Sequence, residues 1–307
     1  MISILMGTYN GETFLPEQLD SLIAQTYDDF VVHAQDDASI DGTWKILMEY
    51  QERYPDKFRV YKRCCNSGSP KHNFLELMAS VQDDYVMLCD QDDVWQPNKI
   101  EILLEKMKTM ESNYPDQPVL VYSDLSIVDE ELNIIDSSYK KYMKSDFSRN
   151  SPNQVLVQAI FAGCACMYNR KLATLLTKTP EYCVMHDWWL HLVASALGEV
   201  GYLDEVTVLY RQHKENQIGV RDMRKLSHKL RWLFKGKEIR KAIQSTYRQA
   251  ESFLNIHADA LSPSNKELIW NYCQIPSKNK LARWYSVSKM GAYKIGLARN
   301  IAYFLWL

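Results

Sequence analysis

Residues 84 to 97 read DYVMLCDQDDVWQP, an apolar run of strand length that ends in three aspartates within four positions, Asp90, Asp92 and Asp93. Such a run, bounded by polar turn residues, predicts a buried strand. Carboxylates crowded at its end repel one another and raise one another's pKa unless a cation compensates them. A hard divalent ion, Mn2+ or Mg2+, prefers a few carboxylates together with phosphate oxygens, so a D-x-D at a strand end suits a metal that bridges protein and diphosphate. Taken alone the motif is equally an ordinary acidic turn, and no EF-hand pattern surrounds it to suggest calcium.

Working outward, short β-rich runs alternate with helical patterns, which argues for a parallel sheet with crossover helices. The expected strands are 2–6, 29–35, 58–62, 84–89 and 118–123, with helices at about 14–25, 42–54, 71–81 and 97–111. Asp41 is a candidate cap for the second helix. Residues 130–160 are polar and irregular and read as a loop over the carboxyl ends of the strands. Beyond them lie an apolar segment AIFAGCACMYN, a helix near 170–177, a second from about His186, and a strand pair in VGYLDEVTVLYRQ. The last 87 residues carry no β signal and predict helices at about 221–255, 264–273 and 278–304.

The 307 residues are 46% hydrophobic, enough for a substantial core. No basic stretch followed by an apolar one opens the chain, so a cytoplasmic protein is expected. Seven cysteines without paired zinc-ligand spacing read as reduced, mostly buried thiols. The net charge of -2 hides an asymmetry, because residues 221–307 hold 17 Lys+Arg against 5 Asp+Glu. Within them 221–248 is a basic amphipathic helical pattern, with Leu226, Leu230, Leu233 and Phe234 at helical spacing. That pattern suits an anionic membrane surface, or equally a packed helix with a solvated basic face.

Open α/β sheets bind ligands outside the carboxyl ends of their strands, so the polar residues after each strand form one candidate site. GTYNGE (7–12) follows the first strand and DDASIDGT (36–43) the second. Neither is a G-x-G-x-x-G fingerprint and no P-loop occurs, which removes the main support for dinucleotide binding and NTP hydrolysis.

Six ordered stretches, ISILMGTYNGETFLPEQLDSLIAQTYDDF, QDDASIDGT, NSGSPKHNF, DQDDVWQPNKI, MHDWWLHLVASALG and LYRQHKENQIG, resemble the inverting family 2 glycosyltransferases. They are most similar to the bacterial rhamnosyltransferases of capsule and rhamnan synthesis. The resemblance implies an α/β GT-A (Rossmann-like nucleotide-diphospho-sugar transferase) fold over residues 1–220 with a basic helical C-terminal extension over 221–307. It places Thr8, Tyr9 and Asn10 in a nucleotide pocket with Asp36 and Asp37, the latter bonding a pyrimidine base. Asp90 and Asp92 become the D-x-D pair that meets a Mn2+ or Mg2+ diphosphate, with His213 a further metal or diphosphate contact.

Asp93, Trp95, His186, Trp188 and Arg211 would face sugar or acceptor, although Trp95 also reads as core and the pattern leaves Gln91 unassigned. Asn66, Lys71 and Asn73 are further candidates in a stretch that also reads as a turn capping a helix. Asp187 matches the family's general base, while a helix start equally suits an N-cap there. Of Trp188 and Trp189, one is expected to desolvate Asp187 and the other to pack.

The implied partners are a nucleotide-sugar donor, dTDP-rhamnose or a UDP-sugar (galactose, glucose or N-acetylglucosamine), and a glycan or lipid-linked acceptor. An anionic membrane surface at the inner face of the cell membrane is expected, a homodimer is left open, and nucleic acid is not a partner. The basic tail alone would suit a polyanion, but no nucleic-acid motif accompanies it and the acidic body opposes it.

Overall fold

Val86, Met87, Leu88 and Cys89 are fully buried, and they place the strand β4 (Tyr85–Asp90) in the middle of a nine-stranded sheet. The computed structural model describes residues 1–214 and 236–307. The expected basic pattern at 221–248 therefore lies outside the described residues up to position 235.

In the first of two compact units, β1 (Ile2–Thr8), β2 (Phe30–Asp36), β3 (Phe58–Lys62) and β4 run parallel in the order β3-β2-β1-β4. They are joined by α1 (Leu15–Ile23), α2 (Thr43–Arg53) and α3 (Pro70–Ser80). This is the expected alternation, since fully apolar strands such as β1 need cover on both faces. After β4 come β5 (Val94–Trp95), α4 (Lys99–Asn113), β6 (Val119–Val128) and β7 (Ile134–Asp136). The segment expected to be irregular thus holds β7, and two short helices, α5 (Tyr139–Met143) and α6 (Pro152–Val155). The sheet continues through β8 (Cys166–Asn169), antiparallel to both β4 and β6, and α7 (Arg170–Leu175) follows β8.

The expected strand pair at 200–212 is one strand, β9 (Glu199–Arg211), parallel to β6 and antiparallel to β5. Asp204 and Glu205 read as a turn, but the first of two register shifts absorbs them. Tyr122 pairs with Tyr202 and Asp124 with Val206, so β9 bulges by two residues without reversing. Asp41 is not the cap of α2, which Gly42 occupies, but its carboxylate accepts from the Thr43 amide at 3.0 Å.

The second unit is helical and gathers residues 140–160 and 180–198 with the C-terminal helices. It contains α8 (His186–Leu197), α9 (Gly236–His257), α10 (Pro263–Cys273), α11 (Lys280–Met290) and α12 (Leu297–Trp306). One helix was expected over 278–304. Gly291 (φ +63°) instead caps α11 in the left-handed region, and Gly296 (φ +86°) precedes α12. Trp189 packs edge-on against Phe253 at 5.8 Å, anchoring α8 to α9.

Candidate active site

The register of the parallel strands brings three loop starts together: Thr8 pairs with Asp36, and Gly7 with Asp90. Asp36 is fully buried, and its charge is met by the Ser39 amide at 3.1 Å, the Ser39 hydroxyl and the Thr8 hydroxyl at 3.4 Å. Asp37 accepts from the Ser67 amide at 2.8 Å and the Ser67 hydroxyl at 2.7 Å, and pairs with Arg63 Nε at 3.1 Å. Its amide donates to the Thr8 carbonyl at 2.8 Å, which ties the first two loops.

Asn10 takes a positive φ of 47°, a conformation asparagine tolerates. Its amide donates to Ser39 Oγ and its side chain accepts from the Ile40 amide at 3.0 Å, so it braces the 36–43 loop. Tyr9 is exposed, with its backbone held on both sides by one side chain: its amide donates to Gln91 Oε1 at 2.8 Å and its carbonyl accepts from Gln91 Nε2 at 3.0 Å. A Cβ at position 11 would meet that carboxamide, so a larger residue there would have to displace Gln91 from the Tyr9 backbone. Gln91, unassigned by the sequence, is thus the strap between the D-x-D turn and the GTYNGE loop. Asn73 is buried in a reciprocal pair with Gln35, an internal tie and not a ligand contact.

In the acidic turn, Asp92 Oδ2 lies 2.7 Å from His213 Nε2, which joins the D-x-D to the residues after β9. Arg211, expected to reach sugar or acceptor, is 1% exposed and binds within the protein. Its Nε donates to the Asp92 carbonyl at 2.8 Å, its terminal nitrogens donate to the Glu130 carbonyl and the Glu17 carboxylate, and its plane covers Phe14 at 4.6 Å. Asp93, also expected to face a ligand, is enclosed and accepts from the Arg211 amide at 3.1 Å. Burial, reinforced by the charges of Asp92 and Asp90, pushes its carboxyl well above the ordinary value.

Trp95 is core at 2% exposure, the other of its two expected readings, so it does not offer a stacking platform. Its ring carries the Lys99 ammonium at 3.3 Å. Lys99 is fully buried, donates to the Cys164 carbonyl, and is drawn down to about 8 by that burial. The sequence did not single it out.

In the helical unit, Asp187 lies in the first turn of α8, whose N-cap is Met185, so the capping role is not its own. Its Oδ1 accepts from the Trp188 amide at 2.7 Å. Trp188 is half-buried and donates from its indole to the Val155 carbonyl at 2.6 Å, whereas Trp189 is core. His186 is buried, and burial lowers its pKa.

The family profile described as "Glycosyl transferase family 2" matches residues 3–176, more than half of the chain. The chain belongs to glycosyl transferase family 2. The protein is a glycosyltransferase with a GT-A fold followed by a helical C-terminal region. The dTDP-rhamnosyl transferase RfbG of Shigella flexneri is 29% identical over 252 residues, 78% of this chain and 82% of that one. Three mycobacterial relatives, also at 29% over 215 residues, are longer, and the chain spans 59% of their length.

Among solved structures, S. aureus TarS (1-349) with UDP-GlcNAc superposes with a TM-score of 0.58 at 16% identity, covering 94% of this chain and 79% of that one. The mannosyltransferase PcManGT of Pyrobaculum calidifontis, solved with GDP-Man and Mn2+, superposes with a TM-score of 0.54 at 16% identity over 95% and 73%. At these identities both establish the fold alone.

At this glycosyltransferase's acidic turn one group of three potential ligands and one adjacent pair are present among the described residues. Asp90, Asp93 and Cys164 present ligand atoms within 4.8 Å of one another. The Cys164 thiol is soft, and burial pushes its pKa well up, so this set does not suit a hard divalent cation. Asp92 and His213, already adjacent, offer a carboxylate oxygen and an imidazole nitrogen, a pair of donors that fits Mn2+ better than an all-oxygen ion such as Mg2+.

Proposed function

We propose that this glycosyltransferase is a metal-dependent, inverting enzyme that moves L-rhamnose from dTDP-L-rhamnose to a lipid-linked or oligosaccharide acceptor in cell-surface polysaccharide synthesis. The observation that carries the donor is the identity to a dTDP-rhamnosyl transferase across 82% of that relative's length. A lipid-linked acceptor would put the enzyme to work at the inner face of the cell membrane.

In this reading Thr8, Tyr9 and Asn10 line the nucleoside pocket, and Asp37, oriented by Ser67 and Arg63, accepts the imide N–H of the pyrimidine. Asp90, Asp92 and His213 hold the cation, which when bound stabilises charge on the departing diphosphate as a Lewis acid. Gln91 keeps nucleoside and diphosphate loops at fixed spacing. Inversion in one step needs a base opposite the leaving group, and Asp187 takes the acceptor hydroxyl proton as the new glycosidic bond forms. With one oxygen held by the Trp188 amide, the carboxylate keeps one orientation.

The test is a donor panel of dTDP-rhamnose and UDP-sugars followed by diphosphate release, on wild type and Asp187→Asn. Wild type should prefer dTDP-rhamnose, and the variant should lose transfer while still binding dTDP. Turnover retained in the variant refutes the base; a preference for a UDP-sugar refutes the donor.

A further inference from the structure

Helices α11 and α12 form a pair whose inner side is well made and whose outer side is not covered by the described residues. Inside, Val287, Ala302 and Tyr303 are buried, Trp284 donates from its indole to the Phe304 carbonyl at 2.7 Å, and Arg283 donates to the Leu307 carbonyl at 2.6 Å. Outside, Leu297, Ile301 and Leu305 follow one another at one-turn spacing and are 78%, 52% and 48% exposed. Leu281 and Tyr285 repeat that spacing on α11 and are also exposed. A row of large apolar side chains facing water on two adjacent helices marks an interaction surface, unlike scattered single exposures.

Charge selects the occupant. From residue 268 to 307 there are six Lys+Arg and no Asp or Glu; Arg283 and Lys294 turn inward onto carbonyls, Glu267 lines the groove beside Tyr285 and Lys289, and the outward charge of the pair is still positive. Lys280 and Lys289 are exposed on α11, Lys280 over Trp284 at 5.4 Å, and Arg240 of α9 covers Trp306 at 5.0 Å. Two copies of so basic a face would repel each other, whereas an anionic one attracts it. At 10 residues α12 spans about 15 Å, half a hydrocarbon core, and no described helix is long and apolar enough to cross a membrane.

We propose that α11 and α12 form a docking face for an anionic lipid bilayer. Leu297, Ile301, Leu305, Leu281 and Tyr285 enter the boundary between headgroups and acyl chains, and the basic side chains at the rim meet lipid phosphates. The inference rests on this helix face and not on the donor, so its failure leaves the transferase reading standing.

The full chain is co-sedimented with phosphatidylcholine vesicles, with or without a third of phosphatidylglycerol, at low and high salt. A triple variant, Leu297→Gln, Ile301→Gln and Leu305→Gln, is run in parallel, with its circular dichroism spectrum as the check that it is folded. The wild type should bind the anionic vesicles at least tenfold better than the neutral ones and lose most of that at high salt. The variant should bind them at least tenfold less while keeping the wild-type circular dichroism spectrum. Equal binding to both vesicles, no binding to either, or unchanged binding by the folded variant overturns the proposal. So does a wild-type dimer that the variant splits, since a second copy would then cover this face.

Discussion

Two groups of aspartates stand at the ends of β2 and β4, the strands that flank β1, and their charges are met differently. At Asp36 and Asp37 the charges are met by backbone amides, serine and threonine hydroxyls, the Arg63 guanidinium and, 4.0 Å from Asp36, the Lys62 ammonium. Beside Asp92 stands the His213 imidazole at 2.7 Å, and near Asp93 the buried Lys99 ammonium, drawn down to about 8 by burial. Fixed dipoles hold a carboxylate in one orientation, as a site that reads a base requires. An imidazole resting on a carboxylate can give way to a cation that both would ligate, as a site that loads and releases a metal diphosphate requires. Rigid recognition and exchangeable charge thus sit one strand apart in the same sheet.

The comparison breaks most directly at Asp92. Asp92→Asn should reduce transfer on the order of 10²–10³-fold, the scale on which one charge-stabilising group acts in a transition state. It should also abolish the extra thermal stabilisation that Mn2+ adds to dTDP, while dTDP alone still raises the melting temperature. If Mn2+ stabilises the variant as it does the wild type, the acidic turn is not the exchangeable site.

Asp37→Asn should weaken dTDP about 10–100-fold, the range for losing a hydrogen bond to a charged group, by the same factor with and without Mn2+. Calorimetric titration of dTDP in both conditions decides it. A loss confined to the Mn2+ condition would erase the distinction between the two acidic groups.

The sheet was legible because its strands are short apolar runs separated by turn chemistry, and β3 falls at the expected residues 58–62. The D-x-D and DDASIDGT stretches were legible for a related reason, since charge at the end of an apolar run has no local explanation. Lys99 and Arg211 were not read as buried ties because their partners are distant in the chain. Lys99 reaches the Cys164 carbonyl, and Arg211 reaches Glu17 across 194 residues. A lysine or arginine is ordinarily exposed, and only the folded sheet shows what compensates these two. The length of β9 was hidden because a bulge and a turn share the same polar residues.

The smallest effect tests the titratable half of the comparison by pH alone. Lys99 titrates near 8 in the folded protein and near 10.5 in the unfolded chain. Between those values the unfolded chain binds more protons, so stability rises with pH there. The cost of burying the charge is fully present below pH 8 and fades as pH climbs towards 10.5. Lys99→Met removes the group at similar volume, so wild type should gain about 1 kcal/mol over the variant between pH 7.5 and 9, measured by urea unfolding. Arg63→Met is the control: a guanidinium does not titrate in this range, so its difference from wild type should stay flat with pH. Parallel slopes for the two variants would mean that Lys99 is held no differently from Arg63, and the contrast between fixed and exchangeable charge would fail at its most buried residue.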